Sequence, residues 1–352
     1  MRVSSIDLRI PLRNPPARLL SSSYAVAAVG LLVAGCTSPG LSTPARSLSS
    51  RPPTPPPATS SGLQQTVQLT SSMAPFTLPR AVSRPTVFGT GEGLLIVGGL
   101  TAADSTTQDI LRVALPGGTV SRAGQLPVPV HDAAGATVNG RDLVFGGGSS
   151  AVTSAVQDVT PGSSARLIGH LPQPRADLVA ISDGTAAYVL GGYDGTQGST
   201  TILRTPDGMT FAVVGTLPVS VRYPAVAALG GSIWLFGGEH AGKQVTEVQR
   251  VDLRTGRGSI AGHLSSPLAH AGAFTLRGEV FVAGGLVGAV ASDKILRFNP
   301  ARVRFTAAGR LPAGRSDFGV AVIGATAYLV GGESPKPVNA VIQVRAQAGG
   351  TP

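Results

Sequence analysis

The stretch LPQPRADLVAISDGTAAYVLGGYDG, Leu171 to Gly195, is one copy of a unit that recurs along the chain. It opens on Leu-Pro, carries the apolar run DLVAIS, turns at DGT, runs again through AAYVL and stops at Gly191 and Gly192. A glycine pair after a short apolar run also stands at Gly98 and Gly99, Gly146 and Gly147, Gly237 and Gly238, Gly284 and Gly285, and Gly331 and Gly332. Successive pairs lie 48, 45, 46, 47 and 47 residues apart. About twenty residues before each pair sits a leucine: Leu78, Leu126, Leu171, Leu217, Leu264 and Leu311. A fixed period in this range marks a repeat architecture, in which each unit buries its apolar face against its neighbours.

The unit reads as four short strands. After the glycine pair at Gly191 come TTILRT and, beyond the turn PDG, FAVVGTL. Short runs rich in Val, Ile, Leu and aromatics, bounded by Gly, Pro and Asp, signal strands and hairpins. The recurrent Pro and Gly argue against long helices. Six such units placed radially make an all-β, six-bladed propeller with four antiparallel strands per blade, a solution that leaves only short, protected edges. The last repeat has three strands and ends in VNAVIQVRA, Val338 to Ala346. The preceding LQQTVQLTSS, Leu63 to Ser72, has strand character and no partner of its own. It is expected to close the last blade as its fourth strand and so remove an open edge. The propeller is thus expected over 63–346.

The unit LPAGRSDFGVAVIGATAYLVGG, Leu311 to Gly332, resembles a kelch repeat. The leading Leu-Pro, the Arg four residues after the Leu, the small apolar first strand, the aromatic three residues before the glycine pair and the pair itself all match. The aromatic slot holds Tyr188, Trp234, Phe281 and Tyr328, but Leu95 and Leu143 in the first two repeats. The tryptophan that usually opens the fourth strand is absent, with Phe211 and Phe305 in its place in two repeats. The resemblance implies a kelch-type propeller whose slot aromatics pack between blades.

The N-terminus reads differently. Arg2, Arg9, Arg13 and Arg18 form a basic region ahead of the apolar run YAVAAVGLLVAGC, Tyr24 to Cys36. That is the pattern of a secretory signal, expected over 1–35. Its end, Val33-Ala34-Gly35-Cys36, resembles a bacterial lipobox, which implies lipid attachment at Cys36, the single cysteine. Residues 37 to 62 are dominated by Ser, Thr and Pro and cannot bury a core. The expectation is a disordered, lipid-anchored tether over 36–62, a disordered tail over 347–352, and an exported protein held at the outer side of the cell membrane.

The formal charge of +10 divides evenly. Residues 1 to 62 carry six Arg and one Asp, leaving +5 dispersed over the propeller. With no basic run and no nucleic-acid motif, a nucleic-acid partner is not expected.

Strand direction places the start of each first strand and the glycine pair at one end of the propeller, around the mouth of the central channel. The sixth residue after each Leu forms a set there: Arg84, Asp132, Asp177, Tyr223, His270 and Asp317. Neighbours add His131, Arg175, Arg222 and Arg315, and the loops between second and third strands add Tyr193, Asp194, Glu239, His240 and Glu333. A polar ring at the mouth of an apolar channel is a candidate ligand site. The alternative for the Asp and Arg members is structural, each pairing with the other or with a neighbouring blade's backbone. Three carboxylates and a His could hold a hard cation, but no Asp-rich ligand loop occurs and the nearby Arg side chains oppose it, so no metal or other cofactor is expected.

These features point to a monomeric binding module for a carbohydrate, cell-wall fragment or protein. Two alternatives stand beside it: a sugar-modifying enzyme of the mutarotase or epimerase type, using an acid–base pair such as His270 and Asp317, and a structural protein of envelope assembly. No catalytic residue is assigned. A copper-oxidase reading fails for want of a propeller cysteine, and a sialidase reading for want of an S-x-D-x-G-x-T-W turn.

Overall fold

A computed structural model describes residues 67–347. The signal expected over 1–35, Cys36, the tether over 36–62 and residues 63–66 lie outside the described residues, as does the tail after Gln347.

Each repeat folds into one four-stranded antiparallel sheet, and the third repeat shows the plan. Its strands are Ala176–Ser182, Ala187–Tyr193, Thr201–Thr205 and Ala212–Thr216, paired in sequence order. The remaining sheets repeat this order, so the first strand is innermost and the fourth outermost. The first strands touch one another in a closed circuit: Thr86–Thr90, Ala134–Val138, Ala176–Ser182, Ala225–Leu229, Ala269–Leu276, Gly319–Ile323 and back to Thr86–Thr90. This is a closed six-bladed β-propeller. We number the blades 1 to 6 in that order.

The core lies in the seams between blades. Tyr188 packs on Ile233 and Val251 of blade 4, Trp234 on Val280 and Phe298 of blade 5, and Phe281 on Ala327 and Ile342 of blade 6. Tyr328 packs on Leu94 and Val113 of blade 1, which completes the circuit. The slot aromatics therefore do what the kelch resemblance implies. Burial of apolar surface from both sides of each seam joins the blades and contributes most of the driving force for the fold.

The glycine pair clips each blade to the next. The second glycine donates its N–H across the seam, as Gly332 does to the Val82 carbonyl at 2.9 Å. The first glycine, Gly331, has a φ of +64°, and a Cβ there would stand 2.2 Å from the same carbonyl oxygen. Both the conformation and the close approach demand glycine.

Closure occurs through the N-terminal strand, in a register further along than the sequence suggests. The strand is Leu69–Thr77, antiparallel to Ala340–Ala346, with Leu69 opposite Ala346 and Thr77 opposite Ala340. The expected Leu63 to Ser72 is displaced because the inward-facing residues are Leu69, Ala74 and Phe76. These pack on the clusters of blades 6 and 1 and set the register. Among the described residues no helix is long and apolar enough to cross a membrane.

Candidate functional site

The six residues Arg84, Asp132, Asp177, Tyr223, His270 and Asp317 line one cavity of about 130 Å3 at the inner strands, with the residue that follows each of them. All six have a left-handed backbone, with φ between 51° and 60°. Five hydrogen bonds link them in series around the axis, a belt that runs from Asp132 round to Arg84. The amide of Asp177 donates to the Asp132 carbonyl (2.9 Å), that of Tyr223 to Asp177 (3.0 Å) and that of His270 to Tyr223 (3.1 Å). The amide of Asp317 donates to His270 (3.1 Å), and that of Arg84 to Asp317 (2.6 Å). The belt turns each residue so that its side chain enters the channel mouth.

The side chains form one connected electrostatic system. Arg84 lies among three carboxylates, with its guanidinium 3.1 Å from Asp132, 3.4 Å from Asp317 and 3.9 Å from Glu333. Arg222 donates through Nε to Asp177 at 2.5 Å and reaches the Tyr223 hydroxyl at 3.4 Å. The same guanidinium lies between two rings, 4.6 Å from Tyr193 and 5.2 Å from Tyr223. Tyr223 in turn stacks on His270 with centroids 4.0 Å apart. His270 holds Asp317 at Nδ1 (2.6 Å) and Glu239 at Nε2 (3.3 Å). Arg84 occupies the place between Asp132 and Asp317 that a cation would need, and no metal-binding group of three His, Cys, Asp or Glu side chains occurs among the described residues.

These contacts divide the titrations. Burial opposes an imidazolium at His270, but the hydrogen bond and charge of Asp317, followed by Glu239, outweigh it and raise its pKa. Burial likewise disfavours the Asp317 carboxylate, yet His270 and Arg84 hold its pKa below the ordinary value. Asp132 behaves oppositely: burial pushes it up to about 7 against the pull of Arg84. His131 is lowered by burial and by Arg84. Carboxylates in one cavity thus carry different charge states near neutrality, a property typical of functional sites.

The structure does not bring every candidate to the cavity. Arg175 and Arg315 point back into their own blades and pair with none of the Asp residues. Arg175 is 2 % exposed and donates to the Thr201 carbonyl at 3.0 Å, and Arg315 donates to the Gly331 carbonyl at 2.7 Å. They brace the strand behind the glycine pair. His131 flanks the cavity, bonded at Nδ1 to Thr106 (2.8 Å) with Nε2 3.6 Å from Asp132. His240 sits out on the hairpin Glu239–His240/Lys243–Gln244, where its ring meets the Ser220 carbonyl at 2.9 Å. Asp194 is turned onto its own loop, accepting from Thr196 and Gln197. Glu239, by contrast, is part of the His270 pair, although its loop position alone carries no such signal.

Neither a protein-family model nor a curated protein matches the sequence. Among solved structures, that of YjhT is similar with a TM-score of 0.67 at 19% identity, covering 77% of this chain and 99% of that one. At this identity the likeness shows the propeller fold alone.

Proposed function

We propose that the protein is an exported, lipid-anchored propeller of kelch type that binds a carbohydrate or cell-wall fragment at the channel mouth. One observation carries this reading. A left-handed backbone favours glycine, and costs another residue about 1 kcal/mol. The chain has 47 glycines and uses glycine at many positive-φ positions, yet at none of the six positions of the belt. The belt needs only backbone atoms, so six polar side chains are kept there at a cost in stability. Asp104, Asn139, Ala241, Arg277 and Val303 also have positive φ, but each stands singly in a turn or bend; six around one cavity is the clustering of strain found at functional sites.

The lining and its neighbours suit a polyol. Within the cavity Asp132 and Asp177 offer acceptors, Arg84 donors and Tyr223 a ring face; Glu239, Glu333 and Arg222 stand beside it, bonded to or within 4 Å of residues that line it. A cavity of about 130 Å3 admits the projecting part of a sugar or acetamido group, not a whole oligosaccharide. The basic and apolar runs ahead of Cys36, and Cys36 itself, support an anchored location for such a module.

The test is a thermal melt of the purified protein against monosaccharides, amino sugars and muropeptides. A ligand that binds only the folded state raises Tm by mass action. A saturable rise that Tyr223→Gly abolishes supports the reading; a flat panel turns the search to a protein partner and removes the sugar.

A second reading rests on His270. Its imidazole stands between Asp317 and Glu239, an arrangement able to hold and pass a proton at a sugar hydroxyl. Anomer exchange followed by NMR, with and without the protein, separates turnover from simple binding.

A further inference from the structure

Three of the six seams share one plan, and the seam between blades 1 and 2 lacks every ring that fills the others. In blades 3, 4 and 5 the slot aromatic lies beneath an arginine from the cross-strand position of the third strand. Arg204 covers Tyr188 at 6.0 Å, Arg250 covers Trp234 at 5.6 Å and Arg297 covers Phe281 at 5.7 Å. A further ring enters some seams from the fourth strand of the following blade. Phe211 meets Phe145 at the seam of blades 2 and 3, and Phe305 meets Phe236 at that of blades 4 and 5. Counting back four residues from Gly169, Gly215 and Gly309 makes Ala165 the equivalent of Phe211 and Phe305.

At the seam of blades 1 and 2 both positions are short, with Leu95 from one side and Ala165 from the other. A cavity of about 640 Å3 lies there, its walls including Leu95, Ile110, Val159, Ala165, Arg112 and Arg122. An adjoining cavity of about 590 Å3 shares Leu95 and Arg112. Arg112 is the cross-strand partner of Leu95 and so holds the position of Arg204, Arg250 and Arg297, but it faces a leucine where they face a ring. Its guanidinium pairs with Glu92 at the surface. Arg122, 58% exposed, stands 3.5 Å from Asp109. The size is that of a small-molecule site.

We propose that this seam binds a small planar aromatic carboxylate. The ring lies at the open side of the slot that Tyr188, Trp234 and Phe281 fill elsewhere, on the half-buried Ala165 above the buried Leu95 and Val159, with Arg112 over its face. The carboxylate lies toward Arg112 and Arg122 at the open edge, taking them from Glu92 and Asp109, neither of which lines the larger cavity. The site is separate from the channel mouth and independent of what binds there.

Isothermal titration of the full-length protein with indole-3-carboxylate and 2-naphthoate tests it. Saturable binding at one site is expected, weakened at least tenfold by Arg112→Ala and abolished by Ala165→Phe, which rebuilds the arrangement of Phe211. Ala165→Phe is expected to melt at or above the wild-type temperature; if it fails to fold, Leu95→Phe fills the slot from the other side and is judged the same way. No saturable binding of either acid, or undiminished binding to a filled variant that melts cooperatively, overturns the proposal.

Discussion

His270 and Asp317 hold equivalent positions in adjacent blades, 47 residues apart, and are joined twice. The Asp317 amide donates to the His270 carbonyl at 3.1 Å, and the His270 Nδ1 lies 2.6 Å from the Asp317 carboxylate. One pair thus ties two blades through backbone and side chain and also places an ionisable couple in the channel mouth.

That couple predicts a pH window. The raised pKa of His270 means its contribution is complete below the unfolded value of about 6.5 and is lost as pH rises through the folded value. The lowered pKa of Asp317 means its contribution is present above about 3.9 and is lost as pH falls through the folded value. The stabilisation is therefore greatest between about pH 4 and 6.5. Melting of wild type and His270→Asn, which tolerates the left-handed backbone, is expected to differ most near pH 5 to 6 and to converge toward pH 9. A gap that widens above pH 8 would sink this account.

Asp132 runs the other way. Its side chain is 7% exposed and its pKa stands at about 7, so the folded protein holds a proton that the unfolded chain has released. Stability from this group falls as pH rises from about 4 to 7, by about 1.4 kcal/mol for each pH unit crossed. Asp132→Asn removes the burden while keeping a polar group beside Arg84. It is expected to raise Tm at pH 8 and to leave it unchanged near pH 4, as calorimetry at the two values will show.

Much of the fold, and part of the site, can be read from residues alone, for reasons that separate cleanly. The glycine pairs are legible because Gly331 and its equivalents face a carbonyl that no Cβ can approach, so every repeat must spell them alike. The six channel positions are legible because they keep a fixed offset from each Leu. Their left-handed backbone is only half announced: Asp132, Asp177, His270 and Asp317 are of types that tolerate it, whereas Arg84 and Tyr223 are not. Arg175 and Arg315 mislead because spacing places their Cα atoms near the Asp residues, while their long side chains turn back to the carbonyls of Thr201 and Gly331. The closing strand slips from Leu63 to Leu69 because its register depends on partners near the other end of the chain.

Tyr223 separates strain from function. Tyr223→Gly relieves a left-handed cost of about 1 kcal/mol and loses the stack on His270, worth about 0.5–1.5 kcal/mol. Loss of the half-buried ring's apolar contacts adds about 1–3 kcal/mol, so Tm is expected to fall by several degrees with cooperative unfolding retained, while sugar binding at the mouth disappears. A variant that unfolds readily makes Tyr223 a structural residue and removes the argument for the site.

Arg84 is the cation that the most acids share, with Asp132, Asp317 and Glu333 all within 4 Å. Arg84→Ala leaves the buried Asp132 without its cation, while Asp317 keeps His270, and is expected to cost about 1–3 kcal/mol. Arg84→Lys restores the charge but not the fork that reaches both sides of the channel. Only partial recovery is expected in denaturant titrations, and full recovery by Lys would show that charge alone matters.

Blade 6 is held to the first part of the chain by the strand Leu69–Thr77 on Ala340–Ala346, by backbone bonds of Leu78 to Asn339, of Val82 to Val338 and of Gly332 to Val82, by Arg84 on Asp317, and by Tyr328 in the blade 1 core. Of these the strand alone supplies a whole edge, and it also carries Leu69 and Phe76 into neighbouring cores. Removing residues before Leu78 therefore exposes the outer edge of Ala340–Ala346, which carries the buried Val341, Ile342 and Val344, and such an edge invites pairing with other chains. The truncated protein is expected to lose its cooperative melt and to enter large species in size-exclusion chromatography. A monomer that melts within a few degrees of wild type would show instead that the seams alone close the ring.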